Sequence, residues 1–69
     1  MSVVKRIVEP DQKVVVAIED DCVVLLHFFS DTCAEDLEHA DGVVLLSGIG
    51  AERVAAALVE AVHRTRTAA

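Results

Sequence analysis

The sequence predicts an α+β domain: a four-stranded, mostly antiparallel sheet, elements in the order β-β-β-α-β-α, and two helices on one face. Three observations predict it. Four runs rich in Val, Leu and Ile have strand length and end at turn residues. Two later segments place apolar residues at helical spacing. The first three runs are joined by connections too short for anything but antiparallel neighbours.

Val3 to Val8 is the first expected strand, and Glu9-Pro10-Asp11-Gln12 is the turn after it, because Pro and Asp favour turn positions. Lys13 to Glu19 is the second strand. The acidic corner Glu19-Asp20-Asp21 breaks that run, although Asp-Asp is a weaker hairpin signal than Asn-Gly or Asp-Gly. Cys22 to Phe29 is the third and most apolar strand. Thr32, with Glu35 three residues on, reads as a capping box, so a first helix is expected over about Cys33 to Ala40. Ala34, Leu37 and Ala40 would form its apolar side, and Asp41-Gly42 would end it. Val43 to Ser47 is the fourth strand, and Ser47-Gly48-Ile49-Gly50 is the turn out of it. Ala51 to Arg64 is the second helix, with Val54, Leu58, Ala61 and Val62 as one apolar stripe. Residues 65–69 are expected to fray.

One domain over 1–69 is the only count this length allows. A chain so short buries only about 60% of the surface it exposes when unfolded, and disulfides, metals or oligomerisation commonly help it fold. Cys22 and Cys33 make no disulfide framework. There is no Cys-x-x-Cys, no His-x-x-x-His and no complete zinc pattern, so neither a metal nor a cofactor is expected. Oligomerisation remains. The third strand is apolar on both faces, with Cys22, Val24, Leu26 and Phe28 on one and Val23, Leu25, His27 and Phe29 on the other. The second and fourth strands are similar. Strands of this kind have both faces covered, and two short helices cover only one. The other is expected to meet a second copy, most simply in a two-fold dimer. Val24, Leu26, His27, Phe28 and Phe29 are the interface candidates.

Twelve acidic residues against six basic ones give a net charge of −6. That excess speaks against direct nucleic-acid binding, which needs Lys and Arg for phosphates, and against anionic membranes. It suits a basic protein partner, and it also keeps an apolar-rich chain soluble. Residues 1–41 carry ten acidic and three basic residues, and residues 42–69 two and three. The candidate partner-binding acidic face comprises Glu19, Asp20, Asp21, Asp31, Glu35, Asp36, Glu38 and Asp41. No apolar run approaches the length of a membrane helix. Met1 to Arg6 does not open a secretory signal, and the cytoplasm is the expected compartment.

Cys33 is the candidate reactive thiol, because the unpaired N–H groups of a helix's first turn favour a thiolate. The strand-then-cysteine layout of His27 to Asp36 resembles the active-site segment of thioredoxin-fold proteins. It departs from their Cys-x-x-Cys at Asp36, lacks their aromatic residue and proline, and belongs to a chain too short for that fold. No family is assigned on it. Ser47-Gly48-Ile49-Gly50 could meet an anion with its N–H groups, but it matches neither the dinucleotide pattern nor the P-loop, which needs a Lys.

The expected function is that of a small acidic, non-enzymatic protein-interaction module that self-associates through an apolar sheet face. One alternative is an inhibitor that blocks a basic nucleic-acid-binding surface of a target protein. A second is a thiol-dependent or small-ligand-binding enzyme subunit using Cys33.

Overall fold

The computed structural model of the chain describes residues 1–30 and 33–67. Its elements are β1 (Ser2–Glu9), β2 (Gln12–Glu19), β3 (Cys22–Phe28), β4 (Gly42–Leu46) and α1 (Gly48–Thr67). The four strands form one sheet in the order β1-β2-β3-β4, and every neighbouring pair is antiparallel. Chain order and spatial order coincide, as short connections require.

The hairpins explain the register. Glu9 pairs with Gln12 across the Pro10-Asp11 turn, and Glu19 pairs with Cys22 across Asp20-Asp21. Asp20 and Asp21 have φ of 48° and 63°. Two successive left-handed residues are the mark of the I′ turn, whose twist matches that of the strands it joins. Aspartate tolerates this region better than most side chains, though not as freely as glycine. In β1 the register slips between Val3 and Lys5, which makes Val4 a bulge.

Strand alternation then sorts the side chains. On one face of the sheet, called face A below, lie Lys13, Val15 and Ala17 of β2 and Val24, Leu26 and Phe28 of β3, paired across the strands. All six are buried, and the five apolar ones are the core among the described residues. On the opposite face B lie Val14, Val16, Val23, Leu25 and His27, which are only half-buried.

The first expected helix is absent from residues 33–40, which corrects the β-β-β-α-β-α order: among the described residues a single helix follows four strands. Residues 33–41 instead form bends and one turn. Asp36 supplies the reason. Its carboxylate accepts the His39 N–H at 3.0 Å, and its carbonyl accepts the Ala40 N–H at 3.2 Å, closing a single turn on itself. Aspartate competes with helical bonding in this way, and so short a helix is marginal without packing. The cap expected at Thr32 lies outside the described residues, as does Asp31.

The segment from Phe29 to Asp41 closes at its neck. The Phe29 N–H donates to the Asp41 carboxylate at 2.8 Å, and the Asp41 N–H donates to the His27 carbonyl at 2.8 Å. Ala40 packs on the core and Glu35 reaches Lys13, so residues 33–41 lie over face A.

The expectation of two helices on one face is corrected accordingly. An irregular segment covers face A, and α1 leans on face B. The helix starts at Gly48, earlier than expected, because Ser47 caps it. Ser47 Oγ accepts the Gly50 N–H at 3.1 Å, and the Ser47 carbonyl accepts the Ala51 N–H at 2.8 Å. The helix runs to Thr67, past the expected end at Arg64. Thr65 and Thr67 donate their hydroxyls to carbonyls one turn back.

The I′ turn yields a stability prediction. Asp21→Gly removes a left-handed Cβ and is expected to raise stability by about 0.5–1 kcal/mol in urea unfolding. Asp21→Val should lower it.

Candidate functional site

The site is defined by what one ion-pair cluster closes and what it leaves open. Lys13 sits at an inward position of β2, and its side chain is 4% exposed. A buried ammonium needs a counter-charge, and Glu35 provides it. Its carboxylate lies 3.2 Å from Lys13 Nζ and accepts from Arg6 Nε at 2.7 and 2.8 Å. Lys13 also stands over the Phe28 ring at 5.0 Å. Arg6 comes from β1, Lys13 from β2 and Glu35 from the segment, so the cluster pins that segment across face A. The Arg6 hydrogen bond is the main cause that holds the Glu35 carboxyl below its ordinary 4.5. Partial desolvation opposes it, and Lys13 adds to it.

Face B receives no such cover. Val16, Val23, Leu25 and Leu46 of the sheet and Ala51, Val54, Ala55 and Leu58 of α1 line a cleft of about 270 Å³. Every lining side chain is Val, Leu or Ala. Beyond Leu58 the helix is exposed throughout, including Val59 (70%) and Val62 (47%). Ile7, Ile18 and Val44 continue the open apolar surface on the sheet.

The surface is large for the chain. Total exposure is 5307 Å², whereas a folded monomer of this mass exposes about 4,200 Å². The radius of gyration is 13.2 Å, against about 11 Å for a compact domain of this length.

The interface candidates separate between the two faces. Val24, Leu26 and Phe28 are buried in the core on face A and offer no surface. His27 and Phe29 remain outside it. His27 Nε2 donates to Gln12 Oε1 at 2.9 Å, and its ring meets Phe29 edge-on at 4.7 Å between centroids.

The acidic residues do not gather into one face either. Glu19, Asp20 and Asp21 lie at the β2–β3 turn, where Glu19 pairs with the Met1 amine at 3.3 Å. The neck of the Phe29–Asp41 segment is at the other end of the sheet. Within that segment Glu35, Asp36 and Asp41 are engaged in holding its shape, and Glu38 is exposed. Asp36 is held below its ordinary 3.8, chiefly by the His39 side chain at 2.6 Å and then by the His39 N–H.

Cys33 is exposed and lies in a bend rather than in the first turn of a helix. Ser47-Gly48-Ile49-Gly50 serves as a cap. Among the described residues, no group of three or more His, Cys, Asp or Glu could hold a metal, and no helix is long and apolar enough to cross a membrane.

Sequence reasoning missed Lys13 and Arg6. The signal was there: Lys13 shares its parity with Val15 and Ala17, so a charge falls on an otherwise apolar strand face.

No family model matches the chain, and no curated protein or solved structure matches it. Function therefore rests on the geometry.

The cluster has a pH signature. A carboxylate whose folded pKa is depressed stabilises the fold above its unfolded value and loses that contribution as pH falls through the folded one. The Phe29–Asp41 segment should therefore stay latched above pH 4.5 and open progressively below it. Glu35→Gln should raise proteolytic nicking within 29–41 at neutral pH by roughly tenfold. The same variant should flatten the acid dependence of nicking, measured between pH 3 and 5, on the order of one unit either side of a carboxylate's ordinary range.

Proposed function

We propose that the chain is a non-enzymatic interaction module that works as a self-associated unit, joined to a second copy through its open apolar surface. The observation that carries this reading is the surplus of exposed area. At about 1,100 Å² per chain, it equals one partner's share of an obligate dimer interface, in which both sides together bury about 2,000 Å² or more. The chemistry of the surface agrees. It is built from Val, Leu, Ile and Ala, with His27 and Gln12 satisfying each other at its margin. Lys5 and Glu9 of β1 share face B at its β1 side, away from the apolar cleft under α1.

Light scattering coupled to size exclusion tests this. Twice the chain mass is expected at low and moderate salt alike, since apolar burial is insensitive to screening. Val59→Glu together with Val62→Glu should weaken association by roughly a hundredfold or more, through burial of unpaired charge, and should lower the midpoint of urea unfolding with it. A wild-type chain that stays monomeric at high micromolar concentration would overturn the proposal.

A further inference from the structure

The two edges of the sheet are built differently. β1 carries the Val4 bulge and the charges Lys5, Arg6 and Glu9. Bulges and charges are the devices that keep edge strands from pairing. Two copies of β1 pairing about their centres would also set Lys5 and Arg6 against like charges. β4 has none of this. Its sequence is Gly42-Val43-Val44-Leu45-Leu46, without charge, proline or bulge, and Val43, Val44 and Leu45 are all exposed. A free, flat, apolar edge is a template for another strand.

Building on the self-association proposed above, we infer that two copies join antiparallel through their β4 edges into one continuous eight-stranded sheet. The occupant of the edge is a second copy rather than a foreign peptide. The exposed surplus per chain matches a homodimer's needs, and an uncharged strand is complementary to itself about a two-fold axis. That axis stands perpendicular to the sheet, because residues opposite each other in an antiparallel pair share a face. Both copies therefore present face B, and both helices, on the same side.

The symmetry makes a sharp prediction. Because opposite residues share a face, one position in β4 must face its own counterpart across the axis. Its Cα atoms would lie about 4.5–5.5 Å apart, within disulfide range. The experiment uses the full chain with Cys22→Ser and Cys33→Ser, and adds Gly42→Cys, Val43→Cys, Val44→Cys, Leu45→Cys or Leu46→Cys one at a time. Lys5→Cys on the β1 edge is the control. Each is oxidised mildly and run on a non-reducing gel. One β4 position is expected to cross-link at least tenfold faster than its immediate neighbours and the control, the contrast that contact geometry imposes.

Hydrogen exchange on the wild-type chain gives the same answer without substitutions. The amides of Gly42–Leu46 should slow as concentration rises through the dimerisation range. A dimer by light scattering with no preferred β4 cross-link and no slowing at β4 overturns the edge pairing and leaves self-association standing. A monomer overturns both. A β4 edge that is protected only on adding another protein assigns the edge to that partner and also overturns the inference.

Discussion

A lysine on the inward side of a central strand sets the architecture. Lys13 stands in register with Val15 and Ala17, and its ammonium has no route to water through the core. Its burial is tolerable only with a carboxylate at hand. Glu35 meets that need from a stretch of chain with little regular structure. By meeting Arg6 as well, it ties that stretch to both β1 and β2. Face A is closed over β2 and β3 as a consequence, while Val8 of β1 and Val43 and Leu45 of β4 stay exposed at its two sides. The helix that follows β4 finds that side taken and lies against the other. The division between a sealed face and an open one follows from where a single charge falls in the alternation of β2.

The sheet was legible in the sequence because its signals are local. Valine-rich runs, Pro10-Asp11 and the Asp20-Asp21 corner mark strand ends within a residue or two, and hairpins of two turn residues leave no freedom of topology. The second helix was legible because Val54, Leu58 and Val62 repeat at helical spacing. What escaped was the non-local part. Whether residues 33–40 coil into a helix depends on a partner twenty-two residues back in Lys13 and further still in Arg6. Propensity cannot see that. The capping pattern was also ambiguous in itself, since an Asp three residues before a His can close an isolated turn as readily as it can decorate a helix.

The open surface was legible in kind but not in membership. Two-faced strands implied that both sides need cover, and the irregular segment lies over one while α1 leans on the other and leaves it half-buried. Parity alone could not say which set of residues would be covered, because both sets in β3 are almost equally apolar. The deciding information was again Lys13, whose parity matches Val24, Leu26 and Phe28 through the β2–β3 register. Once that side is known to carry the buried ion pair, the exposed side must be the one with Val16, Val23 and Leu25. The acidic residues teach a related lesson. Clustered in sequence, they are separated by the meander into a turn at one end and a folded segment at the other. Three of them are absorbed in shaping that segment.

The sealed face is too small to account for the fold by itself. Its apolar core is Val15, Ala17, Val24, Leu26 and Phe28, one of them an alanine and only one aromatic. The cleft under α1 adds little, because most of its lining is only half-buried and Leu58 is 61% exposed. A chain in this position gains most from burying its second apolar surface, and association that buries it stabilises the folded state by mass action. Folding and self-association then become parts of one equilibrium.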